Sequence, residues 1–525
     1  MEKSIVLLGM MGSGKTTVGK ILSRLLNIPF IDTDELIEKR ERKKISEIFE
    51  IDGETYFRYI ESQVLKEVLN GETAIISTGG GIVLKEENRR LIKEKGIPLF
   101  LYAPIDVLSE RIRNASNRPL LKGDDPLTIR LSRIWKKRKS LYEEFENKID
   151  TKDLSPEDVA IEIIYKFLSG DDLYFIDDKT VIGINSVKML YGYLNKNFRP
   201  PMLLITSSPL WNKWERYINW VLKDYRWELY LLPDREAAKT MEEVKKIWEK
   251  MFSLGFTRKN PVLVLGGGTV GDTGGFAAAT FLRGVPLVQI PTTLLAMLDS
   301  SIGGKRGVNY KHLKNMIGTF YDAALTIIDP VMLSTLPEHE IRNGLSEAIK
   351  SAIIGDPELF EFIDKNINTL LSGNLHTLRH IIEKTVRVKL EVVSKDPYEL
   401  NGYRKVLNLG HTLAHALEGV KDFSVSHGEA VAIGMIFASF LGEKEGITPY
   451  DVKRKIEGII KKTGLPTTFP QNLVDKLVNR MYYDKKREDE KLFWVIPEDI
   501  GRVGFYKFPL NRIRKLLDSF VEESS

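Results

Sequence analysis

Directly after the short apolar run Ser4 to Leu8 the chain reads GMMGSGKT, Gly9 to Thr16, and an amphipathic helical pattern follows. Strand, glycine-rich turn and helix in that order, with the spacing GxxxxGK[ST], describe backbone amides folded around phosphate oxygens at the start of a helix. Gly12, Ser13 and Gly14 form the turn, Lys15 reaches the terminal phosphates, Thr16 offers its hydroxyl to magnesium and Thr17 continues the cradle. The expected setting is a parallel sheet between helices. The motif specifies a nucleoside triphosphate and leaves the phosphate acceptor open.

At 525 residues the chain is too long for one ordinary core, so two or three domains are expected. Its 77 basic and 72 acidic residues are interspersed, which argues against a nucleic-acid or polyanion partner. Cysteine is absent, excluding disulfides, thiol nucleophiles and thiolate metal sites and leaving imidazole and carboxylate as ligands. The N-terminal apolar run is too short for a secretory signal, and no run of about 18 apolar residues occurs elsewhere. A cytoplasmic enzyme without membrane contact is the expectation.

Residues downstream of the phosphate loop point to the acceptor. FIDTDELIE holds Asp32 and Asp34, GETYFRYIE holds Gly53, Arg58 and Glu61, three glycines run from Gly79 to Gly81, NRPLL holds Arg118, and RKSLYEE holds Arg138. Singly, paired Asp caps a helix, Arg is solvated and triple Gly makes a turn. In this order and spacing, residues 1 to 168 closely resemble shikimate kinase. The resemblance implies ATP with Mg2+ as phosphate donor and shikimate, with one carboxylate and three hydroxyls, as acceptor. Arg58 and Arg138 would clamp the carboxylate with two-pronged donors. Asp34 would activate the attacking hydroxyl, Asp32 would hold magnesium, and Gly79, Gly80 and Gly81 would approach the ring. Arg118, on a lid, would stabilise charge on the transferred phosphoryl group.

Near Ser169 the helical pattern ends in SGDD, which sets a short linker over residues 169–175. Fresh strand patterns appear in LYFIDDKTVIGIN and PMLLITSS. The run VLVLGGGTVGDTGGF then carries an apolar strand into Gly266, Gly267 and Gly268, with Gly271 and Asp272 at the head of a helix. Such a loop admits a pyrophosphate, although its spacing is not GxGxxG.

LNLGHTLAHALE sets His411 and His415 four residues apart on one helical face. His427 opens HGEAVAIGM, and Glu347 sits in the helical GLSEAIK. Histidines at helical spacing are commonly surface or core residues, yet three of the chain's 7 fall within seventeen residues. Two imidazoles and a carboxylate leave a coordination position open, as a catalytic divalent ion requires.

FLRGVPLVQIPTTLLAMLDSSIGGKRGVN, KNMIGTF, STLP and GLSEAIK, with RKVLNLGHTLAHALE and HGEAVAIGM, closely resemble 3-dehydroquinate synthase over about residues 172 to 510. The resemblance implies conversion of 3-deoxy-D-arabino-heptulosonate 7-phosphate to 3-dehydroquinate and phosphate, with NAD reduced and reoxidised in each turnover. It makes Glu347, His411 and His427 the ligands of zinc or cobalt, and His415 a proton-transfer group. Lys305 and Lys350 join His415 as catalytic candidates. Arg283, Asn315, Lys389, Arg404, Asn408, Lys485 and Lys486 would bind the anionic substrate. Glu236, Lys239, Gly267, Gly268, Asp272, Thr292, Thr293, Asp299, Lys305, Lys314 and Thr335 would bind NAD. Two positions depart from the family: Ser207 stands where an Asp usually meets the ribose, and Arg235 where a Gly precedes Glu236. A hydroxyl is a weaker ribose partner than a carboxylate by about 1 kcal/mol.

The expected architecture is a P-loop kinase (1–168), an α/β NAD-binding region (176–335) and a mainly helical metal-binding region (336–525), with the second active site between the last two. A homodimer through the synthase part is expected, with Arg283 reaching the neighbouring subunit. The rivals are a metal-dependent polyol dehydrogenase, which would not need the cations around Lys305, Lys314 and Lys350, and a sensing or scaffolding fusion with one inactive half.

Overall fold

A computed structural model describes residues 3–113, 125–168, 173–311, 313–420, 423–484 and 491–524. Arg118, Lys485 and Lys486 lie outside the described residues. The chain divides into two compact units, Met1–Ser169 and Gly170–Ser525.

In the first unit the strands β1 (Ser4–Leu8), β2 (Phe30–Asp32), β3 (Ile75–Ser77), β4 (Gly96–Tyr102) and β5 (Lys148–Asp150) form one parallel sheet in the order β2-β3-β1-β4-β5. β1 is central and Ile5 to Leu8 are fully buried, because a parallel strand covered on both faces has no polar side. It ends at Gly9, where a Cβ would lie 2.4 Å from Leu101 O, so only glycine lets the chain turn there. The helix Lys15–Leu26 comes next and packs Val18, Leu22, Leu25 and Leu26 inward.

The second unit is built on β6 (Tyr174–Phe175), β7 (Thr180–Ile182), β8 (Met202–Ser207), β9 (Trp227–Leu232), β10 (Val262–Gly266), β11 (Leu287–Pro291) and β14 (Leu325–Ile328). Their order is β6-β7-β14-β11-β10-β8-β9, parallel except for β6. A separate hairpin pairs β12 (Lys305–Tyr310) with β13 (Leu313–Phe320).

From Glu338 onward the chain is mostly helical, with one addition to the expected helical region. β15 (Lys491–Asp499) and β16 (Arg502–Pro509) form an antiparallel hairpin, and Trp494 of β15 packs on Phe437, with ring centroids 5.3 Å apart. Phe437 belongs to the helix His427–Lys444, which is buried from Ala430 to Gly442 and is therefore apolar on every side. Its start is closed by a capping box: Ser426 N donates to Glu429 Oε2 at 2.8 Å.

Glycines let this central helix approach its neighbours closely. A Cβ on Gly428 would lie 2.3 Å from Asn343 O in the helix Glu338–Gly355, and one on Gly434 only 2.0 Å from Gly410 O. Gly410 itself is left-handed (φ 78°) and starts the short helix His411–Glu418. Among the described residues, no helix is long and apolar enough to cross a membrane.

Candidate active sites

In the first unit, the phosphate loop leaves β1 with left-handed glycines at Gly12 and Gly14 (φ 82° and 92°). Lys15 Nζ donates to Gly9 O at 2.9 Å and Met10 O at 3.1 Å, so the ammonium lies over the loop. Thr16 Oγ1 donates to Asp32 Oδ2 at 2.8 Å, while Asp32 Oδ1 accepts the Asp34 N–H at 3.0 Å. Asp32 thus caps the helix Thr33–Glu41 with one oxygen and meets the phosphate loop with the other.

Gly79 to Gly81 leave β3 and form the floor on which four charged groups meet. A Cβ on Gly79 would lie 2.6 Å from Asp34 Oδ1 and 2.9 Å from Glu61 Oε1, and one on Gly81 only 2.1 Å from Arg58 Nη1. Arg138 Nη1 and Tyr142 Oη both donate to Gly80 O, each at 2.7 Å. Arg58 and Glu61 share one face of the helix Gly53–Asn70, and Arg58 Nη1 donates to Glu61 Oε2 at 2.8 Å. Burial drives the Glu61 carboxyl up to about 7, although Arg58 pulls the other way. Two guanidinium groups and an aspartate around side-chain-free backbone suit a small polyhydroxylated carboxylate.

In the second unit, Glu347, His411 and His427 come from three different helices, and their ligand atoms lie within 4.8 Å of one another. Glu347 Oε1 faces His427 Nε2 at 3.5 Å and His411 Nε2 at 3.8 Å, and it is buried without a hydrogen-bond partner. Its other oxygen accepts Lys350 Nζ at 2.5 Å. An orphaned carboxylate oxygen turned toward two imidazoles fits a divalent cation. Both rings are held from behind: His411 Nδ1 lies 3.1 Å from Leu409 O and His427 Nδ1 3.2 Å from Glu418 Oε1. Burial, reinforced by Lys350, drives His411 down to about 3. Burial would also lower His427, yet the Glu347 and Glu418 carboxylates that face its two ring nitrogens raise it to about 10. His415 sits exposed beside His411, with ring centroids 5.5 Å apart.

Beside this cluster the buried Lys389 Nζ meets the partly exposed Asp299 Oδ1 at 2.5 Å; burial opposes ionisation of Asp299, but Lys389 and Lys350 hold it far below the usual carboxylate range. The glycine loop is a short distance along the sheet. β10 ends at Gly266, the helix Gly268–Thr280 begins after Gly267, and the Thr292 N–H donates to Gly266 O at 3.2 Å. A Cβ on Gly267 would press on Thr293 and one on Gly268 on Ser300, at 3.3 and 3.2 Å. Asp272 accepts Lys239 Nζ at 2.7 Å, and Glu236 Oε1 accepts Asn309 Nδ2 at 2.5 Å, tying the turn after β9 to this helix and to β12.

The remaining expected residues are more dispersed. Lys305 pairs with Glu399 at 2.7 Å and is half exposed; Arg404 donates to Gly303 O at 2.8 Å and Pro397 O at 2.7 Å as a brace between two loops. Lys314 and Asn315 lie on the exposed β13, Asn408 ends a 3-10 turn, and Arg283 is exposed at a left-handed turn (φ 63°). Thr335 closes another 3-10 turn, and its carbonyl accepts Lys213 Nζ at 3.2 Å. Ser207 occupies the cap position of the helix Ser208–Val221 without a capping hydrogen bond, and Arg235 opens a 3-10 turn. Sequence reading missed Tyr142, Asn309 and Glu418. Only Glu418 carried a signal, standing two helical turns after His411 and so on the same face.

These features define a two-enzyme chain: a P-loop kinase for a small acid, joined to a dinucleotide enzyme with an imidazole–carboxylate cation site. The shikimate kinase family model matches residues 11–168, and those for the N-terminal and C-terminal parts of 3-dehydroquinate synthase match residues 229–343 and 344–487. The bifunctional shikimate kinase/3-dehydroquinate synthase of Thermotoga maritima is 36% identical over 517 residues, covering 98% of this chain and 100% of that protein. The chain belongs to this bifunctional family and carries both enzymes. A 3-dehydroquinate synthase of Desulforamulus reducens is 42% identical over 278 residues, 53% of this chain and 77% of its own length. Among solved structures, 2-epi-5-epi-valiolone synthase from Streptomyces hygroscopicus subsp. jinggangensis, with NAD+ and Zn2+ bound, superposes with a TM-score of 0.61 at 26% identity, covering 68% of this chain and 100% of that one. A 2-deoxy-scyllo-inosose synthase shares the fold at 23% identity and the same TM-score, over 66% of this chain and 99% of its own.

Proposed function

We propose that residues 1–168 phosphorylate the 3-hydroxyl of shikimate and that the synthase half, whose sheet already takes up Tyr174–Phe175 of the expected linker 169–175, is divided into an NAD-binding region (176–335) and a metal-binding region (336–525). In the kinase, Gly12 to Thr17 hold ATP, and Thr16 with Asp32 holds magnesium. Arg58 and Arg138 clamp the acceptor's carboxylate over Gly79 to Gly81. The hydroxyl oxygen attacks the γ-phosphorus, its proton passes to Asp34, and ADP leaves while Lys15 and Arg118 balance the charge.

In the synthase, Glu347, His411 and His427 hold zinc or cobalt. Gly267, Gly268, Asp272, Thr292, Thr293, Thr335 and Lys314 hold NAD, with Glu236, Lys239, Asp299 and Lys305 beside it. When bound there, NAD would supply a reversible hydride acceptor and the divalent ion a Lewis acid for the substrate's oxygens. His415 moves protons at the substrate's hydroxyl and α-carbon, aided by Lys305 and Lys350. Arg283, Asn315, Lys389, Arg404, Asn408, Lys485 and Lys486 bind phosphate and carboxylate. We place the protein in the cytoplasm as a homodimer through the synthase half, with the exposed Arg283 of one protomer serving the other's site.

The observation that carries the reading is the orphaned Glu347 oxygen facing two imidazoles. The NAD+ and Zn2+ of the valiolone synthase support the same pair of cofactors here. The test is a pair of assays on the full chain, shikimate with ATP and the heptulosonate phosphate with NAD, before and after chelation of zinc-class metals under saturating Mg2+. Synthase activity should vanish and return with zinc or cobalt while kinase activity persists; a synthase indifferent to chelation would overturn the cation site.

A further inference from the structure

The two imidazoles of the cation site are held in unlike ways. His411 turns Nδ1 to a peptide carbonyl, Leu409 O, whereas His427 turns Nδ1 to a carboxylate, Glu418 Oε1. With hydrogen on Nδ1, each ring would offer Nε2, the nitrogen nearer Glu347, as its ligand to a bound cation. Glu418 closes the helix His411–Glu418, so one short helix supplies a ligand at its start and braces another helix's ligand at its end. Glu418 is mostly buried and meets the ring nitrogen opposite the one that faces Glu347.

Resting on the metal reading above, we propose that Glu418 is a positioning residue: it fixes the tautomer and plane of His427 and makes it the more strongly donating imidazole, and so sets how tightly the ion is held. An anionic acceptor on one ring nitrogen raises the basicity of the other, and a peptide carbonyl does so less. Glu418→Gln keeps the size and one acceptor oxygen but removes the charge. Glu418→Ala removes both.

The experiment uses the full chain and measures zinc and cobalt affinity by competition with a chromophoric chelator, together with the visible spectrum of bound cobalt, NAD affinity and thermal unfolding. Glu418→Gln should weaken both metals about 10–100-fold and shift the cobalt bands, with NAD affinity and unfolding unchanged. Glu418→Ala should weaken metal binding further. Variants that hold zinc as tightly as the wild type, or a loss in Glu418→Gln that only tracks a lowered unfolding temperature, would overturn the inference. A wild-type protein that takes up neither metal would overturn the cation site itself, and this inference with it.

Discussion

Replacing Gly434 by Ala tests how the cation site is assembled. A methyl group at that position would stand 2.0 Å from Gly410 O, and its neighbour is backbone, which cannot rotate away. Ordinary contact needs more than 3 Å, so the helix His427–Lys444 must move from Gly410 by about 1 Å. His411 comes directly after Gly410, and His427 opens the helix that carries Gly434, so the displacement falls on two of the three ligands. Metal–ligand distances tolerate only about 0.2 Å, and a misplacement of about 1 Å in a reacting constellation costs on the order of 100-fold. Overpacking at such a crossing also destabilises by about 1–3 kcal/mol. Gly434→Ala should therefore lower zinc affinity and synthase kcat/KM at least about 100-fold, while shikimate phosphorylation by the same chain stays at the wild-type rate. Chelator competition and the two activity assays read this directly. Wild-type zinc affinity with full synthase activity would show that glycine-mediated approach does not set the ligand geometry.

Lys15→Met should abolish phosphoryl transfer to shikimate and leave dehydroquinate formation unchanged; parallel loss of both in steady-state assays would contradict independent sites. Gly81→Ala, whose methyl would stand 2.1 Å from Arg58 Nη1, should raise the KM for shikimate by at least about 10-fold with little change in the KM for ATP. Glu61, raised by burial from its ordinary 4.5 to about 7, keeps a proton in the folded kinase that the unfolded chain has already lost. Stability of that unit should therefore fall as pH rises from about 4.5 to 7 and level off above; Glu61→Gln should flatten this slope in thermal unfolding measured across that range.

Much of both sites was legible because the requirements are local. Backbone amides must surround phosphate, which demands glycines at set intervals between a strand and a helix, and GMMGSGKT meets that demand wherever the strand sits. The histidine pair was equally plain from spacing. Other features were not. The β15–β16 hairpin lies in a stretch whose surroundings are helical, and its place against Phe437 depends on a long-range contact. The pairing of Asp299 with Lys389, from a helix far along the chain, has no counterpart in either local pattern.

The amino-acid order alone determined where phosphate loops, strands and ligand-bearing helices form, since those depend on periodicity and on conformations that few residues allow. Tertiary structure decided that Glu347 would meet His411 and His427, because this depends on three helices packing closely enough at Gly410, Gly428 and Gly434 for their side chains to share one small space. It likewise decided which nitrogen of His427 faces inward, since Glu418 holds the other one.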